Sequence, residues 1–280
     1  MKKILISGAD SYIGMSLEQF LQQWPGAYQV NTLDVIGDHW RRADMTGYGA
    51  VLHVAGIVHQ KETSKNRHLY FAVNRDLTTA VAEKAKAASV PHFIFMSTMS
   101  VYGIDTGIIT PETTPTPKSS YGRSKLEAEA ALHALESDSF RVAILRPPMV
   151  YGKNSRGNFQ AMKKLIEKSP IFPAVQNQRS MISINNLCAF IRLTIDEYLS
   201  GTFFPQNRES VNTTAMACII AKALGHRMWF SRLAGLTVQV LAPFFPIARK
   251  AFSSLTYENC EQHDYRYCVE DFEDSVLRSI

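Results

Sequence analysis

At 280 residues, with 46% apolar and 20% charged side chains, the chain can bury a sizeable core and is too apolar to remain disordered. Its formal net charge is +5, with basic residues scattered rather than stacked on one element. That disfavours a nucleic-acid partner and suits a diphosphate-bearing small molecule or, weakly, an anionic membrane surface.

The first element predicted is a short buried strand, Lys3 to Ser7, too short an apolar run after Lys2 and Lys3 to act as a secretory signal. It meets Gly8-Ala9-Asp10-Ser11-Tyr12-Ile13-Gly14, and Met15 to Leu21 then reads as an amphipathic helix. Strand, glycine turn and helix together aim backbone N–H groups and a helix N-terminus at a pyrophosphate. Three glycines usually mark this turn; here Ser11 stands at the middle one. A second strand, Tyr28 to Leu33, ends at Asp34, whose carboxylate can accept from both ribose hydroxyls and would repel a 2′-phosphate. NAD is therefore favoured over NADP.

Between Asp34 and Val51 lie only about 16 residues, and Met45 to Gly49 alone would separate an outer strand at 41–44 from the next one. A parallel crossover needs roughly a dozen residues. The expectation is a sheet trimmed between its second and fourth positions, with residues 35–50 as a loop over the adenine end. Short apolar strands and helical stretches alternate from there to about Arg146, predicting an α/β, doubly wound parallel sheet. A long helix is expected to open at Asn74 and run to Ala88. The polar stretch 104–120, with Pro111, Pro115 and Pro117, reads as an ordered loop delivering Tyr121.

Tyr121-Gly122-Arg123-Ser124-Lys125 places a phenol and an ammonium on one helical face. A lysine so placed can lower the pKa of the phenol and make it a proton-transfer group at neutral pH. After Lys153 the pattern changes. Gly157-Asn158-Phe159 opens a helix with Met162, Leu165 and Ile166 on one face, and 178–187 alternates like a strand before another helix. Domain boundaries are set at 1–152 for the dinucleotide-binding part and 153–280 for a smaller, mainly substrate-binding part, with about 178–200 returning to the first.

These blocks together resemble an extended short-chain dehydrogenase/reductase of the NAD-dependent epimerase/dehydratase family, near nucleotide-sugar 4-epimerases and 4-keto-sugar reductases. The likeness runs from Ile4 to about Leu187. It implies a Rossmann-type fold. It implies cofactor contacts from Gly8, Ser11, Tyr12, Ile13, Gly14, Asp34, the Asp44-Met45 pair beside adenine, Val54, Ala55, Gly56 and Asn74, with Pro148 flanking the nicotinamide. Counting back from Val101-Tyr102-Gly103, the catalytic hydroxyl falls on Thr98, with Ser97 as the fallback. Thr98, Tyr121 and Lys125 form the implied catalytic set, with Tyr121 and Lys125 also touching the cofactor. Asn158 and Arg179 would contact the substrate diphosphate, against the simpler readings of a helix-capping Asn158 and a surface Arg179.

The implied activity is NAD-dependent hydride transfer at C4 of a nucleotide sugar, as an epimerase in cell-surface polysaccharide synthesis. An NAD(P)-dependent 4-keto nucleotide-sugar reductase or C4 dehydrogenase and a non-catalytic dinucleotide sensor are the alternatives. A cytoplasmic homodimer, paired through two long helices, is part of the same resemblance. Three departures bear on it. Met99 and Ser100 stand where 4,6-dehydratases carry an Asp-Glu pair, which argues against elimination. Met149 stands where many 4-epimerases have asparagine, which shifts weight toward C4 reductases. No C-terminal arginine block that would close over the nucleotide is found.

Cys188, Cys218, Cys260 and Cys268 show no metal-binding spacing, and neither do His53, His59 and His226. Reduced thiols, no metal, and packing or surface histidines are expected. The apolar segment 233–248, broken by Pro243 and Pro246, falls short of the ~20 residues that span a bilayer. A helix of the substrate region or a dimer contact is expected there, in preference to an interfacial membrane anchor.

Overall fold

Strands apolar along their whole length need helices on both faces, and this sequence supplies them between successive strands. The computed structural model describes the whole chain except residues 59, 61, 156, 242, 243, 246–248, 250 and 259–264. His59, Cys260 and His263 therefore lie outside the described residues. The chain divides into two compact units. The first comprises Met1–Gly103, Pro115–Pro147 and Cys188–Pro205.

In the first unit β1 (Lys2–Ser7), β2 (Tyr28–Leu33), β3 (Ala50–His53), β4 (His92–Met96), β6 (Arg141–Leu145) and β10 (Gly201–Phe203) form one sheet in the order β10-β6-β4-β3-β1-β2. Every pairing in it is parallel. The order reverses between β1 and β3, and such a switch point opens a crevice at the carboxyl ends of the strands. Among the described residues no strand lies outside β2. Residues 39–42 instead make a single 3₁₀ turn whose Trp40 is buried, as the spacing argument predicts. Helix α1 (Tyr12–Leu21) buries Leu17, Phe20 and Leu21. One face of the sheet packs Val51, Phe93, Phe95, Val142 and Ile144 against Val81, Ala85, Ala128 and Leu132.

The helix expected to open at Asn74 starts earlier. It runs as α2 (Arg67–Phe71), a π-helical turn Ala72–Leu77 and α3 (Thr78–Ala87). Asn74 sits inside the π turn. Such wide turns accompany functional sites because they re-aim one side chain without ending the helix. Helix α4 (Ser120–Leu135) follows.

The second unit comprises Ile104–Thr114, Pro148–Leu187 and Gln206–Ile280. The stretch after Gly103 is not loop throughout, since β5 (Gly107–Ile109) pairs in parallel with β12 (Leu255–Tyr257). Strand β7 (Met149–Tyr151) pairs with β9 (Met181–Ser183), and β8 (Ile171–Pro173) with β11 (Trp229–Ser231). The strand expected over 178–187 is therefore only three residues, because helix α6 (Ile184–Glu197) begins at once. Its core joins Tyr151, Phe159, Phe172, Met181 and Met216 with Val276 of α9 (Phe272–Leu277), across α5 (Asn158–Lys168) and α7 (Thr213–Ala223). On α5 it is Phe159 and Ile166 that are buried; Leu165 faces solvent.

Candidate active site

At the switch point the turns after β1 and β3 touch. A Cβ built on Gly8, where φ is +117°, would lie 2.8 Å from the Ala55 backbone nitrogen, so only glycine lets these two turns close. Ser7 O accepts from Val54 N–H and Ala55 N–H at 3.0 and 3.1 Å. Ser11, the residue in place of the middle glycine, caps α1 by accepting from Gly14 N–H at 3.1 Å. The serine thus makes the helix start that the turn needs. Tyr12 and Ile13 form the first turn of that helix, partly exposed, and Asp34 is exposed at the end of β2. One of its oxygens accepts from Ile36 N–H at 2.8 Å.

Asp44 and Met45 fit the adenine role less well. The Asp44 carboxylate is occupied by the hydroxyl and N–H of Thr46, which hold its pKa below the usual carboxylate value. Met45 is packed in the core with Trp40 and Val35 rather than lining a groove.

The implied catalytic residues converge within the first unit. Thr98 follows β4, and its Oγ1 accepts from Ser100 N–H at 3.1 Å, starting a 3₁₀ turn, Met99–Tyr102. That turn rests against α4 at Gly122, where a Cβ would lie 2.6 Å from Ser100 O. The close approach sets Tyr121 beside Thr98, near enough for the Thr98 hydroxyl to act on the phenol's pKa. The fallback Ser97 is spoken for: it is buried and its hydroxyl donates to Glu129.

Helix α4 is anchored at its start by Ser119, which accepts from Gly122 N–H, and by Glu62, which accepts from Ser120 N–H and Oγ at 3.0 and 2.7 Å. Asn74 fastens it to the loop after β3. Its Oδ1 accepts from Ile57 N–H at 2.8 Å, and its Nδ2 donates to Ile57 O and to Ser124 Oγ. Gly56 lies next to this amide and to Lys125. Lys125 is buried, donates to Met96 O at 2.9 Å and lies 4.5 Å above the Phe95 ring.

The electrostatics correct one expectation. Burial pushes the Tyr121 phenol up to about 12, opposed by the neighbouring Thr98 hydroxyl and reinforced by Tyr70. Lys125 is itself affected: its pKa is pushed down to about 7 by burial, against the pull of Glu129. In this dry setting desolvation of both groups outweighs their helical spacing.

Sequence reasoning did not find the layer beneath. Glu129, one turn beyond Lys125, is buried and bridges Ser97 to Arg146, whose Nη1 donates to Tyr102 Oη at 2.8 Å. His53 is a packing histidine, as expected. It lies between Ser7 Oγ (2.7 Å) and Thr78 Oγ1 (3.0 Å), and burial, helped by Lys125, pushes its pKa down to about 3. Only the i, i+4 relation of Lys125 to Glu129 could have flagged this layer.

In the second unit Pro148 is buried before β7, and Asn158 is the exposed first residue of α5, whose cap is Gly157. Arg179 is half-buried rather than a free surface residue. Its backbone pairs with Val211, its Nη1 donates to Ser253 O at 2.7 Å, and burial lowers its pKa against the opposing charge of Asp105. No contact between Asn158 and Arg179 is observed among the described residues, and no cluster able to hold a metal ion is found among them.

Glycine-hinged turns at the switch point of a parallel sheet, with a helix N-terminus and an exposed carboxylate beside them, fit a dinucleotide in their donor set and close approaches. This is the architecture of a Rossmann-type α/β enzyme. The chain belongs to the NAD dependent epimerase/dehydratase family, which it matches over residues 4–198, and NAD is its cofactor. It is 31% identical over 254 residues to a UDP-glucose 4-epimerase of Vibrio cholerae, covering 81% of this chain and 77% of that protein. Two solved structures share the fold. A UDP-glucuronic acid 4-epimerase of Bacillus cereus in complex with NAD superposes with a TM-score of 0.75 at 19% identity, over 99% of this chain and 94% of that one. A dTDP-4-dehydrorhamnose reductase of Clostridium acetobutylicum gives 0.67 at 22% identity, over 82% of each.

Proposed function

We propose that the protein is an NAD-dependent nucleotide-sugar epimerase that inverts C4, on a UDP-sugar, for cell-surface polysaccharide synthesis. The observation that carries this reading is the placement of Tyr121 beside Thr98, with Lys125 buried one helical turn away. Bound NAD would supply a reversible hydride acceptor for the sugar C4, and the positive charge of its oxidised ring would favour the phenolate. Tyr121 accepts the C4 hydroxyl proton as alcohol becomes ketone and hands the same proton back in the second half-reaction. Thr98 shares a hydrogen bond with that oxygen and steadies its developing charge. Lys125, held by Met96 O over Phe95, is assigned to the cofactor ribose. Asn158 and Arg179 are assigned to the substrate diphosphate, for which a guanidinium offers paired donors.

A second reading, a 4-keto-sugar reductase, is favoured by Met149 in the place where many 4-epimerases carry asparagine. Incubation with a panel of UDP- and dTDP-sugars, with and without NADH, separates the two. A C4 epimer formed with no net change in nicotinamide absorbance supports the epimerase. NADH consumed one for one with product selects the reductase instead, and NAD binding without turnover of any sugar leaves a sensor.

A further inference from the structure

One face of the second unit has its polarity inverted. Helix α8 (Arg232–Leu241) presents Leu233, Leu236 and Val240 to solvent at 76%, 60% and 69% exposure, residues spaced to lie on one side of a helix. Trp229 just before it (71%) and Phe244 just after it (77%) are exposed as well. The helix is pinned in this orientation by its opposite side. A Cβ built on Gly235 would lie 1.9 Å from Ala174 O, so the backbone of α8 lies directly against the chain that follows β8. An apolar stripe turned outward on a helix so tightly seated marks a surface that something covers.

The distribution of acids says what covers it. The cations of the chain are scattered, but the acids are not: from Ser210 through Tyr257 there is no Asp or Glu, while Lys222, Arg227, Arg232, Arg249 and Lys250 all fall there. Thirty Lys and Arg less these five leaves twenty-five, equal to the twenty-five Asp and Glu of the chain. The whole net charge of +5 therefore resides in this one stretch. Arg249 is ion-paired with Asp105, whereas Arg227 and Arg232, on either side of Trp229, are exposed.

We propose that Trp229, the outer face of α8 and Phe244–Phe245 dock this protein on an anionic lipid bilayer. Indole, phenyl and leucyl side chains with the exposed Arg227 and Arg232 beside them in sequence suit the boundary where acyl chains meet headgroup phosphates. A second copy of the chain is a poorer occupant, since a two-fold contact sets the same cationic patch against itself. Attachment is peripheral: no described helix is long and apolar enough to cross a membrane.

The test is co-sedimentation of the full chain with vesicles of phosphatidylcholine alone or mixed with one third phosphatidylglycerol. Binding is expected only to the anionic vesicles and is expected to weaken at high salt. Leu236→Gln with Val240→Gln should lower partition roughly tenfold. Arg227→Gln with Arg232→Gln should lower it roughly thirtyfold. All four side chains are solvent-exposed, so unchanged circular dichroism is expected for both variants. Absence of binding to either vesicle, equal binding to both, or equal partition of wild type and variants overturns the proposal. So does a dimer in sedimentation velocity that the Leu236/Val240 variant dissolves, which would give the face to a second copy. None of these readouts depends on turnover, so they stand or fall apart from the epimerase assignment.

Discussion

The two units break the ordinary partition of side chains in opposite directions. The first buries what usually meets water: Lys125, Glu129, His53 and Asn74 are all at most 3% exposed. The second exposes what usually hides, along α8 and its flanking aromatics. Each departure is informative because folding alone disfavours it. In the first unit nearly every such group has a partner within hydrogen-bond reach, so the burial reads as a preorganised site rather than a defect. In the second, apolar groups sit in an acid-free stretch, so the exposure reads as a docking face.

The comparison can be broken most sharply at Glu129. Glu129→Ala strands Arg146 and Ser97 in the interior and should cost about 3–5 kcal/mol of unfolding free energy in urea titrations. A loss under about 1 kcal/mol would mean the buried layer is not holding the site. Tyr121→Phe should reduce turnover about 10²–10⁴-fold with NAD content unchanged. Thr98→Val and Ser97→Ala should diverge. The first should lower turnover about 10²-fold at constant thermal midpoint. The second should mainly lower stability, by about 1–3 kcal/mol, as Glu129 loses a donor. The reverse pattern would move the catalytic hydroxyl to Ser97.

Acid should expose the buried histidines. His53 and His92 have folded pKa values of about 3 and about 4, below their ordinary 6.5. The unfolded chain therefore takes up protons that the fold refuses. Their stabilising contribution is complete above pH 6.5 and is lost as pH falls toward those values, by up to about 1.4 kcal/mol per pH unit for each. Urea midpoints between pH 7 and pH 5 should show this slope, and His53→Gln should flatten it. The smallest effect belongs to the other unit: Leu236→Gln should shift stability by no more than about 0.5 kcal/mol, because that side chain packs on nothing the fold needs. A larger loss would show that the α8 face is covered within the fold after all.

Local pattern carried much of this protein. Strand β1, the glycine turn, helix α1, strand β2 and Asp34 could be read in order because each is a short-range choice of residue. The missing outer strand followed from counting residues against the length of a crossover. Tyr121 and Lys125 were legible because four residues on a helix share a face, and Thr98 was picked out by its distance from Val101-Tyr102-Gly103.

What only the tertiary structure decided is the state of those groups. Whether Tyr121 is a lowered or a raised phenol depends on desolvation by chain far away in sequence, and that reversed the expectation from spacing. The π turn that aims Asn74 at Ile57 and Ser124, the engagement of Ser97 by Glu129, the seating of Met45 in the core and the outward roll of α8 about Gly235 are likewise long-range outcomes. Periodicity names the faces of an element; which face meets water, and which charge is left dry, is set by what packs against it.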